Sequence, residues 1–270
     1  MRSPVFCIRL SIACGAAVSV LSGCGTASGP GVTDQVVVAG EGKEANRPAH
    51  SPRAVVSAPA SAAASTPVHE ETVSASAGLP GVGPQTSASI PEGSEQVVLV
   101  TGDGINSPES TVVLYDRTAS GWQAGTIWEA HNALKGWTED HHLNDLRSPI
   151  GVFRLTDAGG LLPDPGSRLP YSRSNAFTIG GTGFAGEPLA GSFDYVVAIN
   201  YNREAGTSPL DWTRPLGAER GGGIWLHVDH GGPTHACVSL EKAHMEALLL
   251  ALDPARHPVI VMGDAESLAR

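Results

Sequence analysis

Along the chain, apolar and polar positions fall into short runs rather than long amphipathic stretches. Gln96-Val97-Val98-Leu99-Val100-Thr101 is β-branched and stops at Gly102-Asp103-Gly104, and Thr111-Val112-Val113-Leu114-Tyr115-Asp116 has the same character. Together they predict two strands in a hairpin-like pair. Residues 122–129, 151–156, 195–201 and 224–228 follow suit, each bounded by Gly, Pro, Asn or Asp, and Val259-Ile260-Val261-Met262 reads as a closing strand. One helix is predicted, over residues 240–252, where Leu240, His244, Leu248 and Leu252 recur every fourth position. Ser239 is placed to cap it, Glu241 suits its first turn, and Pro254 and Pro258 end it. The pattern predicts a mostly β fold with one main helix. Residues 202–223 form a long polar stretch with Trp212. Loops of that length often act as lids or substrate walls, a surface meander being the plainer alternative.

The first residues carry a different pattern. Arg2 and Arg9 precede an apolar run over residues 10–21, which then meets Leu21-Ser22-Gly23-Cys24. The run is short for roughly 30 Å of hydrocarbon and reads as an export signal over residues 1–23. Leu-Ser-Gly-Cys resembles the bacterial lipoprotein box, which implies diacylation of Cys24 and attachment to the outer face of the cell membrane. An ordinary secretory signal is the alternative. Residues 24–94 are rich in Ala, Ser, Pro and Gly, as in Ser57-Ala58-Pro59-Ala60-Ser61, and are read as a disordered tether. That leaves residues 95–270 for the folded domain.

Composition narrows the function. The 33 Gly and 20 Pro suit strands and turns better than a coiled coil. Lys and Arg number 17 against 27 Asp and Glu, which excludes nucleic-acid binding through a basic face. Of four cysteines, Cys7 and Cys14 leave with the signal and Cys24 takes lipid, so Cys237 stands as the one thiol without a partner. Exported proteins normally pair or eliminate thiols, so Cys237 is either a buried inert group or a reactive one.

His227, His230 and His235 crowd just ahead of Cys237. Imidazole beside thiol is the pairing that makes a nucleophile for carbonyl carbon near neutral pH. Cys237 also lies just before the predicted helix start, where amino-terminal amides would favour the thiolate and hold an oxyanion. The pair predicts activity that follows a bell in pH, with flat activity from pH 5 to 9 as the contrary outcome.

Ile224-Trp225-Leu226-His227, followed by Thr234-His235-Ala236-Cys237-Val238-Ser239, resembles the active-site region of the L,D-transpeptidases of the YkuD type. Pro149-Ile150-Gly151-Val152-Phe153 is similar to the turn and strand that precede it there. The resemblance implies a mixed β-sandwich and a cofactor-independent enzyme of cell-wall biosynthesis and cell shape that acts on peptidoglycan stem peptides. Carbapenem-type β-lactams would inhibit it, and it would act as a monomer. It also implies that Cys237 is the nucleophile, that His227 is the general base, and that the backbone around Thr234, His235 and Ala236 supports the oxyanion. His230, in the loop, is the rival base. Three departures stand out: Ala236 replaces the usual Gly, Ser239 replaces Arg or Asn, and the span from His227 to Cys237 is short. If the Gly position requires positive φ, the Ala236 methyl handicaps the turn.

Other readings compete. The three histidines and Cys237 are donors that zinc accepts, although no His-Glu-x-x-His occurs. Ser239-Leu240-Glu241-Lys242 matches Ser-x-x-Lys without its companion motifs. A wall-binding lipoprotein of the same fold without efficient chemistry is the non-catalytic alternative. His141 and His142 read as a solvated surface pair.

Overall fold

The computed structural model describes residues 76–270. The export signal, Cys24 and most of the proposed tether lie outside the described residues. The strands are β1 (Gln96–Gly102), β2 (Glu109–Thr118), β3 (Gly121–His131), β4 (Trp137–Thr138), β5 (Ser148–Pro149), β6 (Gly151–Gly160), β7 (Tyr171–Arg173), β8 (Val196–Ile199), β9 (Trp225–Val228), β10 (Val238–Leu240) and β11 (Val259–Asp264). The helices are α1 (Pro84–Ala88), α2 (Lys242–Ala251) and α3 (Ala265–Leu268). The fold is mostly β with one main helix, α2, following Cys237.

The main sheet runs β11-β1-β2-β3-β10-β9-β8-β6-β7, and β11 also pairs with β6. That extra pairing joins the two edges of the expected sandwich into a ring, with β7 appended to β6. Closure removes the exposed edges that an open sheet of this size would present. Pairs β1–β11, β9–β10 and β6–β7 are parallel, while β1–β2, β2–β3, β3–β10, β8–β9, β6–β8 and β6–β11 are antiparallel.

Strand alternation assigns side chains to two cores. Val98 and Val100 of β1 join Ile260 and Met262 of β11 in a large cluster with Leu155, Val197, Leu226 and Leu240. Their neighbours Val97, Leu99, Val259 and Val261 face a second cluster with Trp122 and Leu268. Both faces of β1 and β11 are therefore covered, which explains why those segments read as unbroken apolar runs. The helix buries Met245, Leu248 and Leu249 against the larger cluster. Gly102 is required by packing: a Cβ there would collide with the indole nitrogen of Trp137.

Folded structure begins earlier than residue 95. Ser76 bridges Trp122, and Leu79 is buried in the second cluster with Val82 and Ile90 against it. Residues 76–94 belong to the body, because Leu79, Val82 and Ile90 supply the apolar area that the Ala/Ser/Pro composition around them masks.

Candidate functional site

β9 and β10 lie side by side in parallel, with Val238 opposite Leu226 and Ser239 opposite His227. The segment between them turns at Gly231, which has φ of 85°. Cys237 is the last residue before β10. Its sulfur receives the Trp225 backbone N–H at 3.4 Å and faces the Gly223 carbonyl at 3.9 Å. Its own carbonyl is held by the Thr234 hydroxyl at 2.6 Å and the Ser148 hydroxyl at 3.4 Å.

His227 is 3% exposed. Its Nδ1 donates to the Val228 carbonyl at 2.9 Å, which leaves the Nε2 lone pair free to accept a proton. The ring packs edge-on to Phe193 at 5.4 Å and stacks on His230 at 5.9 Å between centroids. His230 in turn pairs with Glu187 at 3.0 Å. His235 lies against Phe184 at 4.7 Å.

One cavity of about 150 Å³ is lined by Cys237, His227, His230 and His235, so the structure brings together the candidate nucleophile, both candidate bases and His235. An apolar wall comes from Ile179, Phe184, Leu189 and Phe193, with Ser192 and Thr234 also in the lining. The wall belongs to the segment before β8. Residues 202–223, expected as lid or substrate wall, contribute nothing to this lining. Trp212 on that loop is 79% exposed. The loop's base is anchored elsewhere, by the buried pair of Arg203 with Asp157 at 2.9 Å.

Burial sets the charge state. It pushes the Cys237 thiol up to about 11, against a partial lowering by the Trp225 N–H. It pushes His227 down to about 4. Both groups are neutral at pH 7, and burial disfavours transfer of the proton from thiol to imidazole. The thiolate expected from helix amides is therefore absent at rest. Strand β10 and Glu241, the residue capping α2, separate Cys237 from the helix. Ser239, expected as the cap, is a fully buried strand residue.

The oxyanion expectation divides by residue. The Thr234 N–H is already donated to the Asn132 carbonyl at 2.9 Å, so Thr234 supports Cys237 through its hydroxyl only. Among the described residues, the N–H groups of His235, Ala236 and Cys237 have no backbone acceptor outside the regular ladders. Ala236 is not among the residues with positive φ, and its methyl packs against the larger core. The turn fits Ala, and the backbone strain expected from a positive φ does not arise.

Sequence reading missed Asp229, His131 and Glu187. Asp229 Oδ1 receives the Ser239 hydroxyl at 2.6 Å and faces His131 Nδ1 at 2.8 Å, while the Gly231 N–H reaches Oδ2 at 2.9 Å. Burial pushes Asp229 up, but the bonds from His131 and Ser239 outweigh it and hold the carboxyl down at about 2. The Asp229 hydrogen bond raises His131. The adjacency of Asp229 to His230 is the only local signal. His141 also departs from its surface reading: it is 3% exposed and edge-on to Tyr201, whereas His142 is exposed. Among the described residues, no group of three or more His, Cys, Asp or Glu has the arrangement of a metal site.

No family model matches the chain, and no curated protein matches it. Among solved structures it is similar to Bd1075 of Bdellovibrio bacteriovorus, at 17% identity and a TM-score of 0.37. The similarity covers 69% of this chain and 53% of that one, so this chain spans about half the length of the structure it resembles. A likeness this distant carries no argument about function.

Proposed function

We propose that the protein is an extracytoplasmic cysteine acyltransferase, an L,D-transpeptidase acting on peptidoglycan stem peptides and held at the membrane through lipid on Cys24. The observation that carries this reading is the shared cavity of Cys237 and His227, whose imidazole commits Nδ1 to the Val228 carbonyl and so keeps Nε2 as its basic nitrogen. The unoccupied amides of His235, Ala236 and Cys237 add a place for negative charge on a carbonyl oxygen.

The chemistry follows from two neutral partners. A stem peptide entering the cavity brings its carbonyl carbon to the sulfur, and the thiol proton passes to His227 Nε2 as the carbon–sulfur bond forms. Coupling the two events avoids the free ion pair, which burial disfavours. The tetrahedral oxyanion then collapses, the carbon–nitrogen bond breaks, and the proton on His227 leaves with the departing amine. A second amine attacks the thioester, gives its proton to His227, and the proton returns to sulfur. His227 is the base in this reading, since it lies on β9, the strand paired with β10 next to Cys237, whereas His230 lies in the loop between them. No cofactor takes part, and the protein acts as a monomer.

Incubation with a carbapenem tests the assignment. A covalent adduct of drug mass on the wild-type protein, absent in Cys237→Ala, is expected in intact-protein mass spectrometry.

A second reading, a wall-binding lipoprotein without efficient chemistry, is favoured by the same burial that silences the resting thiol. In that case the carbapenem leaves the protein mass unchanged while wall fragments still bind.

A further inference from the structure

A cavity of about 380 Å³ lies apart from the Cys237 site and shares no lining residue with it. Its volume falls in the range of small-molecule sites, about 300–1,000 Å³. The apolar wall is Leu155 with Pro91, Pro170, Pro254 and Pro258. Four prolines fix φ and cannot donate hydrogen bonds, so this wall is stiff and offers no N–H to a ligand.

None of the polar side chains of the lining is acidic. They are the Ser94 hydroxyl, the Arg154 guanidinium, the His257 imidazole and the Thr156 hydroxyl, with no carboxylate among them. In a chain with 27 acidic against 17 basic residues that is a selective choice. Two other clefts are acidic, one carrying Glu139, Asp140, Asp264 and Glu266, another Glu109, Glu129, Asp229 and Glu241, while the Cys237 cavity, like this one, is lined by no carboxylate.

Thr156 is taken, donating to Asp157 at 2.6 Å and accepting from Asn200 at 2.8 Å. Ser94 is not: it is 1% exposed, and its Oγ has no partner among the described residues. Ala at the same position would spare the chain the cost of an unsatisfied buried hydroxyl. The Arg154 side chain makes no ion pair or hydrogen bond with a described residue either. A buried hydroxyl without a partner and an exposed guanidinium on the same lining, with a stiff apolar wall, suit an anion with an apolar body.

We propose that this cavity binds a small organic carboxylate, its apolar part against the prolines and Leu155, its oxygens received by Arg154 and Ser94. A carboxylate suits the planar guanidinium, which donates two parallel hydrogen bonds to it.

Sodium benzoate is the probe, with benzamide as its uncharged counterpart, titrated at matched ionic strength into the ¹⁵N-labelled full chain. Saturable amide shifts at Gly93, Ser94 and Leu155 are expected with benzoate, and binding about tenfold weaker with benzamide. Arg154→Gln, on an exposed side chain, abolishes that preference. Ser94→Ala weakens benzoate severalfold while the melting temperature holds or rises, a combination that a structural hydroxyl would not produce. Equal binding of the two probes, shifts confined to other residues, or a benzoate affinity unchanged in Arg154→Gln would each overturn the proposal. A lower melting temperature with undiminished binding in Ser94→Ala would assign the hydroxyl to structure and overturn its role as a ligand.

Discussion

The Ser239 hydroxyl donates to Asp229 Oδ1 at 2.6 Å, tying the middle of β10 to the residue that follows β9. His131, on β3, meets the same carboxylate oxygen, so three strands of the ring are pinned beside the His227 cavity. The turn carrying His230, His235 and Cys237 leaves from this point, and the Gly231 N–H on the other carboxylate oxygen shapes its first bend.

Asp229→Asn is therefore expected to reach further than its own contacts. The amide removes the charge that His131 and Ser239 address, and a cost of about 2 kcal/mol is expected in urea unfolding. Acylation by a carbapenem should slow by about tenfold or more, because the turn that presents Cys237 loses its anchor. An unchanged acylation rate in a destabilised variant would confine Asp229 to structure.

Burial governs the pH response. With His227 at about 4 and Cys237 at about 11, the reactive form is the neutral pair, and the acylation rate should rise through pH 4, stay level across neutrality, and fall only near pH 11. The narrow bell of an unperturbed pair would contradict this. Stability carries the same signature. The folded value of His227 lies below its unfolded value of about 6.5, so the unfolded chain binds the extra proton first. The contribution is fully present above pH 6.5 and is lost as pH falls toward 4, to the extent of about 3 kcal/mol. Comparing wild type with His227→Gln by chemical denaturation at pH 7 and pH 4.5 isolates it.

Arg203 and Asp157 are 2% and 4% exposed in their side chains and bonded at 2.9 Å. Asp157 Oδ2 also receives the Gly206 N–H at 2.9 Å. Arg203→Ala strands a buried carboxylate, and a loss of about 3–5 kcal/mol is expected. Circular dichroism melts would show it, and replacing both partners with apolar residues of similar volume should recover much of the loss.

Ala236→Gly separates an adapted turn from a strained one. Negative φ and a packed methyl mean that Gly brings no relief, only lost burial and added chain freedom, at a cost of about 1 kcal/mol. The acylation rate should not increase. A clear gain would show that the methyl obstructs the substrate.

Much of the strand framework was legible because it is written locally. Gln96–Gly102 and Val259–Asp264 are β-branched apolar runs wherever they lie, and the strand assignments there begin at the same residues as in the structure and stop one or two residues short. Leu240 shows where local reading fails. It fits a helical period with His244 and Leu248, yet it closes β10, because Val238 to Leu240 pairs with β9 on one side and, at Ser239 and Leu240, with β3 on the other. Two ladders of backbone hydrogen bonds outweigh a period that four side chains suggest.

By itself, the order of residues determined which segments extend, that Cys237 and three histidines crowd one stretch, and that a helix follows them. Only the tertiary structure decided the rest: closure of the ring by β6 and β11, the meeting of His131 with Asp229 across 98 positions, and the wall of Phe184 and Phe193 over the cavity. It also decided that thiol and imidazole are neutral at rest. Strand propensity and residue proximity act over a few positions, whereas desolvation and long-range pairing exist only once distant parts of the chain exclude water together.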